Sequence, residues 1–206
     1  MKEVIQRRML TRIIKNYMTN TYPFIVIEGT DGSGKSTLCE WISKTYNYKK
    51  YKSIGGTFAK VKCQFDIDRV SIRERFSFLC GDAINNAYII NDELQKGNPI
   101  IFDRYYYSTL VYCESLEPGI TSEFKFLFEK FPKPDLVLFV QTSFDNMLDR
   151  ILKRGNLTLI ENNYAQQDNF NVLISNYMKY IDAKMAIIDN NNEIAFAKAQ
   201  IKDILL

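Results

Sequence analysis

The stretch "EGTDGSGKST", residues 28–37, crowds three glycines around one lysine. Its residues 29–36 fit the pattern G-x-x-x-x-G-K-[ST] in full. Just before it, "PFIVIE" (23–28) is a continuous apolar run that reads as a buried parallel strand. Just after it, "STLCEWISKTY" (36–46) reads as a helix. Strand, glycine-rich loop and helix, in that order, form the setting in which this pattern cradles phosphate. The loop must wrap an anion closely enough for several backbone N–H groups to point inward. Side chains would block that approach, and some positions need a positive φ, so glycine is required. The helix then aims the positive end of its dipole at the anion. Gly29, Gly32, Ser33, Gly34 and Thr37 are expected to build the cradle. Lys35 adds charge at the β- and γ-phosphates, and the Ser36 hydroxyl is placed to ligate Mg²⁺.

Outward from this P-loop, strand-like runs alternate with helix-like runs. "YKKYKSI" (48–54) is a weaker strand, and a long helix spans about 69–96, closed by "KGNP". "PIIFD" (99–103) and "DLVLFV" (135–140) are buried strands on either side of a helix over "EFKFLFEKF" (123–131). "SFDNMLDRILKRG" (143–155) is a helix with Ser143 as its N-cap and Gly155 at its end. Residues 156–163 are polar and Asn-rich and read as a loop. A helix to about 181, the strand "MAIID" (185–189) and a last helix complete the chain. The expected fold is α/β: a five-stranded parallel sheet with helices on both faces, in three layers, plus a short helical lid. Sites in such sheets lie beyond the carboxyl ends of the strands. Residues 28–37, 103–107 and 141–142 all fall there.

The chain has 206 residues, enough for one core, with 46% hydrophobic and 25% charged residues. Its net charge of +3 suits anionic small molecules and carries no signature of nucleic-acid binding. No apolar run is long enough to cross a bilayer, so no membrane partner is expected. The four cysteines, Cys39, Cys63, Cys80 and Cys113, lack metal-site spacing and read as buried free thiols. The absence of histidine excludes Ser-His triads, Cys-His dyads and His-metal sites. Residues 1–22 form a basic, amphipathic helical extension ahead of the domain at 23–206. It reads as an extra helix docked on a cytoplasmic protein, with a mitochondrial targeting segment as the alternative.

"FDRYYYSTLVY" (102–112) is the second constellation. Asp103, at a strand end, can hold the water around Mg²⁺, and the Arg104 guanidinium can grip a phosphate with two parallel hydrogen bonds. Ser108 and Tyr112 share one helical face, and a tyrosine face suits a sugar or a base.

These pieces, with "PDLVLFV" and "LDRILKRG", resemble the thymidylate kinase family of nucleoside monophosphate kinases over roughly residues 23–190. The resemblance implies a P-loop NTPase fold. It implies transfer of the γ-phosphoryl of ATP to the 5′-phosphate of a pyrimidine nucleotide, with dTMP to dTDP first and UMP, CMP or dUMP as alternatives. It implies that Asp31 meets the acceptor's sugar or phosphate shell, that Arg104 holds the acceptor phosphate, and that Asp103 lies near Mg²⁺. A lid over about 150–164 would close Arg150, Lys153 and Arg154 over ATP, and the chain would be a homodimer. Catalysis is then expected from Lys35, Asp31, Arg104, Arg150 and Arg154.

The chain departs from the family pattern in four places. Leu79 and Ala83 stand where the family's base-stacking Phe and base-binding Arg stand, and "SIGGTF" (53–58) lacks the arginine usual after the second strand. The lid has no arginine between Gly155 and Glu161, and the P-loop has Gly32 where relatives carry a basic residue. "SIRERFSFLCGDAINNAYII" (71–90) is similar to the mitochondrial UMP/CMP kinase branch of the family. In that reading Asp82, Asn85 and Asn86 read the base edge and Phe76 or Phe78 stacks on it. Two further readings stay open. One is a deoxynucleoside kinase, with Glu28 as general base. The other is a relative that binds nucleotide without transfer.

Overall fold

The structure is a computed structural model that describes residues 22–55, 58–61, 70–155 and 157–206. The helical extension expected over 1–22 lies, but for Tyr22, outside the described residues, as does Cys63.

Five strands form one parallel sheet: β1 (Phe24–Glu28), β2 (Lys49–Lys52), β3 (Ile100–Asp103), β4 (Leu136–Gln141) and β5 (Met185–Asp189). Their spatial order is β2-β3-β1-β4-β5. The central strand β1 pairs with β3 in the register Ile27↔Asp103 and with β4 in the register Ile27↔Leu138. The ends of β1 and β3, which carry the P-loop and the Asp-Arg pair, are therefore side by side.

The continuous apolar strands bury both faces. Phe24, Val26, Ile100 and Phe102 point to one side, onto helices α2 (Ile72–Gln95) and α3 (Tyr106–Leu116). Ile25, Ile27, Ile101, Leu136 and Leu138 point to the other, onto α1 (Lys35–Tyr46) and α8 (Ile194–Leu205). That alternation within unbroken hydrophobic runs is what a doubly covered sheet requires. A third cluster, around Phe139, Met147, Ile151 and Tyr177, seats α5 (Phe144–Lys153) and α7 (Gln167–Tyr180). Cys39, Cys80 and Cys113 are buried free thiols, as expected. Among the described residues no helix is long and apolar enough to cross a membrane.

Two segments differ from the sequence reading. The helix expected over 123–131 is a 3-10 turn (Ile120–Phe124) followed by the short α4 (Lys125–Phe128). Ile120 and Phe128 are buried while Phe126 is 62% exposed, so no continuous helical face exists to be covered. The polar stretch expected as a loop over 156–163 contains α6 (Leu159–Tyr164). The Thr158 hydroxyl accepts from the Glu161 N–H at 3.2 Å, and the Glu161 carboxylate accepts from the Thr158 N–H at 2.9 Å. This reciprocal cap starts a helix that the asparagine-rich composition disguises.

Candidate active site

The P-loop leaves β1 at Gly29, where φ is +146° and a Cβ would lie 2.4 Å from the Val140 carbonyl oxygen. Only glycine passes that close to a neighbouring strand. The loop ends at Gly34, which opens α1 with φ 88°. Lys35 is buried, and its ammonium donates to the Thr30 carbonyl at 2.8 Å and lies 3.7 Å from the Asp31 carboxylate. Burial, with Arg104 nearby, lowers the Lys35 pKa to about 8.

Arg104 follows β3 with φ +69°, a left-handed conformation uncommon outside glycine. Such backbone persists where its surroundings over-determine it, and here they do. The Arg104 N–H bonds the Ile27 carbonyl at 3.0 Å. Its Nη1 donates to Ser108 Oγ at 2.8 Å and to the Tyr177 hydroxyl at 3.1 Å. Its Nη2 donates to Asp31 Oδ1 at 2.6 Å and to the Tyr112 hydroxyl at 3.3 Å. The guanidinium also stands over the Tyr112 ring, 5.2 Å from its centroid. Asp31 Oδ2 also accepts from the Tyr164 hydroxyl of α6 at 2.6 Å and from the Tyr112 hydroxyl at 3.3 Å. Burial raises the Asp31 pKa, but Arg104, Lys35 and Tyr164 outweigh it and hold the carboxyl well below its usual range.

Two cavities open on this web. One is lined by Gly32, Gly34, Lys35, Ser36, Thr37, Lys52, Asp103, Arg150 and Arg154. The other is lined by Ile54, Arg75, Leu79, Ser108, Thr109, Tyr112, Cys113 and Leu116, with Thr158 and Ile160 at the start of α6. Asp31 and Arg104 line both. The first is lined by the cations Lys35, Lys52, Arg104, Arg150 and Arg154. The second is a largely apolar slot to which Asp31, Arg75 and Arg104 bring charge.

Most expected site residues converge here; others do not. Phe76 is fully buried among Phe124 and Phe128, with ring centroids 4.9 and 6.0 Å away, so it cannot stack on a ligand. Asp82 and Asn86 line a separate cavity with Lys52, Gly55, Phe58, Asn85 and Ile89. Asp82 Oδ2 accepts from Ser53 Oγ, the Ile54 N–H and Asn86 Nδ2 at 2.9, 2.9 and 2.8 Å. It moors the loop after β2, where Ile54 has φ 59°, and does not face the slot. Phe78 packs on Phe58 instead. Glu28 is fully buried and lines neither cavity described above. Its two oxygens accept from the Tyr105 and Ser108 N–H groups at 2.8 and 3.3 Å and from Ser108 Oγ at 2.6 Å. It ties the start of α3 to β1, a structural task rather than that of a general base.

Sequence reasoning missed Arg75, Lys52, Tyr164, Tyr177 and Asn190. Lys52 was legible as a cation at the end of β2, where the expected arginine is missing. Arg154 is paired with Glu161 of α6. Arg150 turns its guanidinium onto two carbonyls, Gly32 at 3.2 Å and Asn190 at 2.9 Å. The buried Asn190 side chain donates to the Ser33 carbonyl at 2.7 Å. A Cβ at Gly34 would lie 2.5 Å from that amide nitrogen. Arg150 and Asn190 thus brace the P-loop through its Gly32 and Ser33 carbonyls. Asn190→Ala is expected to raise KM for ATP about tenfold, the loss of one buried hydrogen bond, with KM for the acceptor unchanged. Arg150→Ala should do the same and also lower kcat, since Arg150 lines the phosphate cavity. Initial-rate kinetics in both substrates check this; an unchanged KM for ATP in Asn190→Ala refutes the brace.

The family model for thymidylate kinase matches residues 27–201. The chain is 30% identical over 166 residues to a deoxyguanosine kinase of Bacillus subtilis, covering 77% of this chain and 78% of that one. It is 26% identical over 190 residues to a probable thymidylate kinase of Archaeoglobus fulgidus, covering 88% and 93%. The solved thymidylate kinase of Candida albicans superposes with a TM-score of 0.65 at 21% identity, covering 87% of this chain and 89% of that one, which bears on the fold alone. The matched span runs from β1 through the P-loop, the Asp-Arg web and α6 into α8, and the chain belongs to the thymidylate kinase family of nucleoside monophosphate kinases.

Proposed function

We propose that the protein transfers the γ-phosphoryl group of ATP to the 5′-phosphate of a pyrimidine nucleoside monophosphate, with dTMP to dTDP as the leading reaction. The observation that carries this reading is the shared wall. Asp31 and Arg104 border both the polyphosphate cavity and the apolar slot, so two anionic tails meet end to end at one guanidinium. An oxygen of the acceptor phosphate attacks the γ-phosphorus while the bond to the β–γ bridging oxygen breaks, and ADP leaves. Lys35 and the loop amides hold the donor, Arg104 orients the acceptor, and the lid excludes water.

The acceptor oxygen is already anionic, so no base is needed. A nucleoside acceptor would require a carboxylate to take the hydroxyl proton. Asp31 is the carboxylate lining the slot, and Arg104 and Lys35 keep it a weak base. This supports a nucleotide acceptor over the nucleoside named for the Bacillus relative.

One Asp103 oxygen is buried without a hydrogen-bond partner among the described residues, in the cavity that also holds Ser36. These groups fit a magnesium ion held by the Ser36 hydroxyl and by water on Asp103. The ion would neutralise charge on the transferring phosphates.

A coupled assay with ATP, Mg²⁺ and a panel of dTMP, dUMP, UMP, CMP, thymidine and deoxyguanosine tests the reading. The expected result is turnover with a nucleotide at about 1–100 s⁻¹, fastest with dTMP. Transfer to the nucleosides alone would overturn it.

A further inference from the structure

We infer that Tyr177 is a positioning residue for the transfer: its hydroxyl ties the guanidinium of Arg104 to the main chain of the P-loop, so that Arg104 stays in register with the donor when the acceptor phosphate arrives. This inference rests on the nucleotide-acceptor reading above. Tyr177, on α7, is fully buried and lines neither cavity of the site, so it acts only through other groups. Its ring is seated against Phe139 and Tyr112, with centroids 5.1 and 6.3 Å away, and this packing fixes where the hydroxyl stands.

The chemistry of the groups sets the direction of each hydrogen bond. A guanidinium only donates, so Arg104 Nη1 gives to the Tyr177 hydroxyl oxygen at 3.1 Å. Ser108 Oγ gives its own proton to the Glu28 carboxylate at 2.6 Å and accepts from Arg104 Nη1 at 2.8 Å. The Tyr177 proton is then shared between the Gly29 carbonyl at 3.2 Å and Ser108 Oγ at 3.1 Å. Gly29 is a firm anchor, hemmed in by β4 and the loop: a Cβ there would lie 2.4 Å from the Val140 carbonyl oxygen and 2.9 Å from Ser33 Oγ. The two guanidinium nitrogens are therefore held differently. Nη2 is bonded at 2.6 Å to Asp31, whose side chain is 30% exposed and lines the slot. An arriving phosphate competes with that carboxylate for Nη2. Nη1 faces the buried Tyr177, so its link to the loop persists when Asp31 yields. Ser108 holds Nη1 too, but from α3, and Tyr177 is the bridge to the loop main chain. Small misplacements of an aligned group are costly in rate, which is what such a bridge prevents.

The test measures equilibrium binding of dTMP, and of thymidine, which lacks the phosphate, to the full chain and to Tyr177→Phe, which keeps the ring. The parent should bind dTMP about 10- to 100-fold more tightly than thymidine. Tyr177→Phe should lose about tenfold in dTMP affinity, the effect of one buried hydrogen bond to a charged group, and stay within about twofold for thymidine. Its kcat/KM for dTMP should fall at least as far. In an Arg104→Met background the same substitution should cost under about twofold, because the group it positions is gone. A folded Tyr177→Phe chain that keeps the parent's dTMP affinity and kcat/KM overturns the inference. So does an equal loss for dTMP and thymidine, the mark of a purely structural role. Tyr177→Met, which also fills the space without a hydroxyl, decides the matter should Tyr177→Phe fail to fold. A parent that binds thymidine as tightly as dTMP would instead defeat the nucleotide-acceptor reading, and this inference with it.

Discussion

Lys35→Met is expected to transfer phosphate on the order of 10³-fold more slowly than the parent chain while keeping or gaining stability. The two halves of that result have one cause. Lys35 is buried, and burial, with Arg104 beside it, brings its pKa to about 8. The ammonium is thus held where its charge is costly, compensated only in part by Asp31 at 3.7 Å and by the Thr30 carbonyl at 2.8 Å. Methionine fills similar volume without that cost. What it removes is the positive charge facing the phosphates. The sign of the pH dependence follows. Between pH about 8 and the ordinary lysine value of 10.5, the unfolded chain holds the proton and the native chain does not. Parent stability should therefore climb with pH across that window, and Lys35→Met should lack the climb. Steady-state kcat and urea melts at pH 7, 8, 9 and 10 check both halves. Retained kcat would remove Lys35 from the chemistry.

Arg104→Met should lower kcat/KM for the acceptor about 10³-fold and destabilise the fold by about 3 kcal/mol. Asp31 would keep Lys35 and the Tyr164 hydroxyl but lose the 2.6 Å bond that dominates its environment. Arg104→Lys should not restore activity. A lysine is a point charge, whereas the guanidinium spans Ser108 and Tyr177 with one nitrogen and Asp31 with the other. KM for ATP should change little, because the loop amides and Lys35 remain. Acceptor kcat/KM within tenfold of the parent would move the acceptor phosphate to another cation, with Lys52 on the same cavity wall as the first candidate.

The sheet was legible because its strands are unbroken apolar runs ending in chemistry. Ile27 beside Asp103 follows once "FIVIE" and "IIFD" are paired. The P-loop, Arg104, Ser108 and Tyr112 were legible because their spacing alone sets their direction. Arg75 was not. It and Asp82 are seven residues apart on one helix, yet one meets the slot and the other the loop after β2. Which does which depends on how α2 rotates against α3, and no local pattern records that. Asp82 looked like a base reader because its partners, Ser53 and Ile54, lie 29 and 28 residues earlier. Tyr164 and Tyr177 were two of thirteen tyrosines, distinguished only by where α6 and α7 bring them.

The mooring of Ser53 and Ile54 by Asp82 has a kinetic meaning. The segment after the second strand is where the arginine usual in the family is missing. Here its first residues are fastened to α2 by a carboxylate, and one of them, Ile54, lines the slot. That part of the binding surface takes its shape when the chain folds, not when nucleotide arrives. The ordering cost, about 0.5–1.5 kcal/mol for each side chain immobilised on association, is already met there. Capture of the acceptor should then be governed by diffusion and charge steering, with no slow rearrangement of this wall between encounter and productive binding.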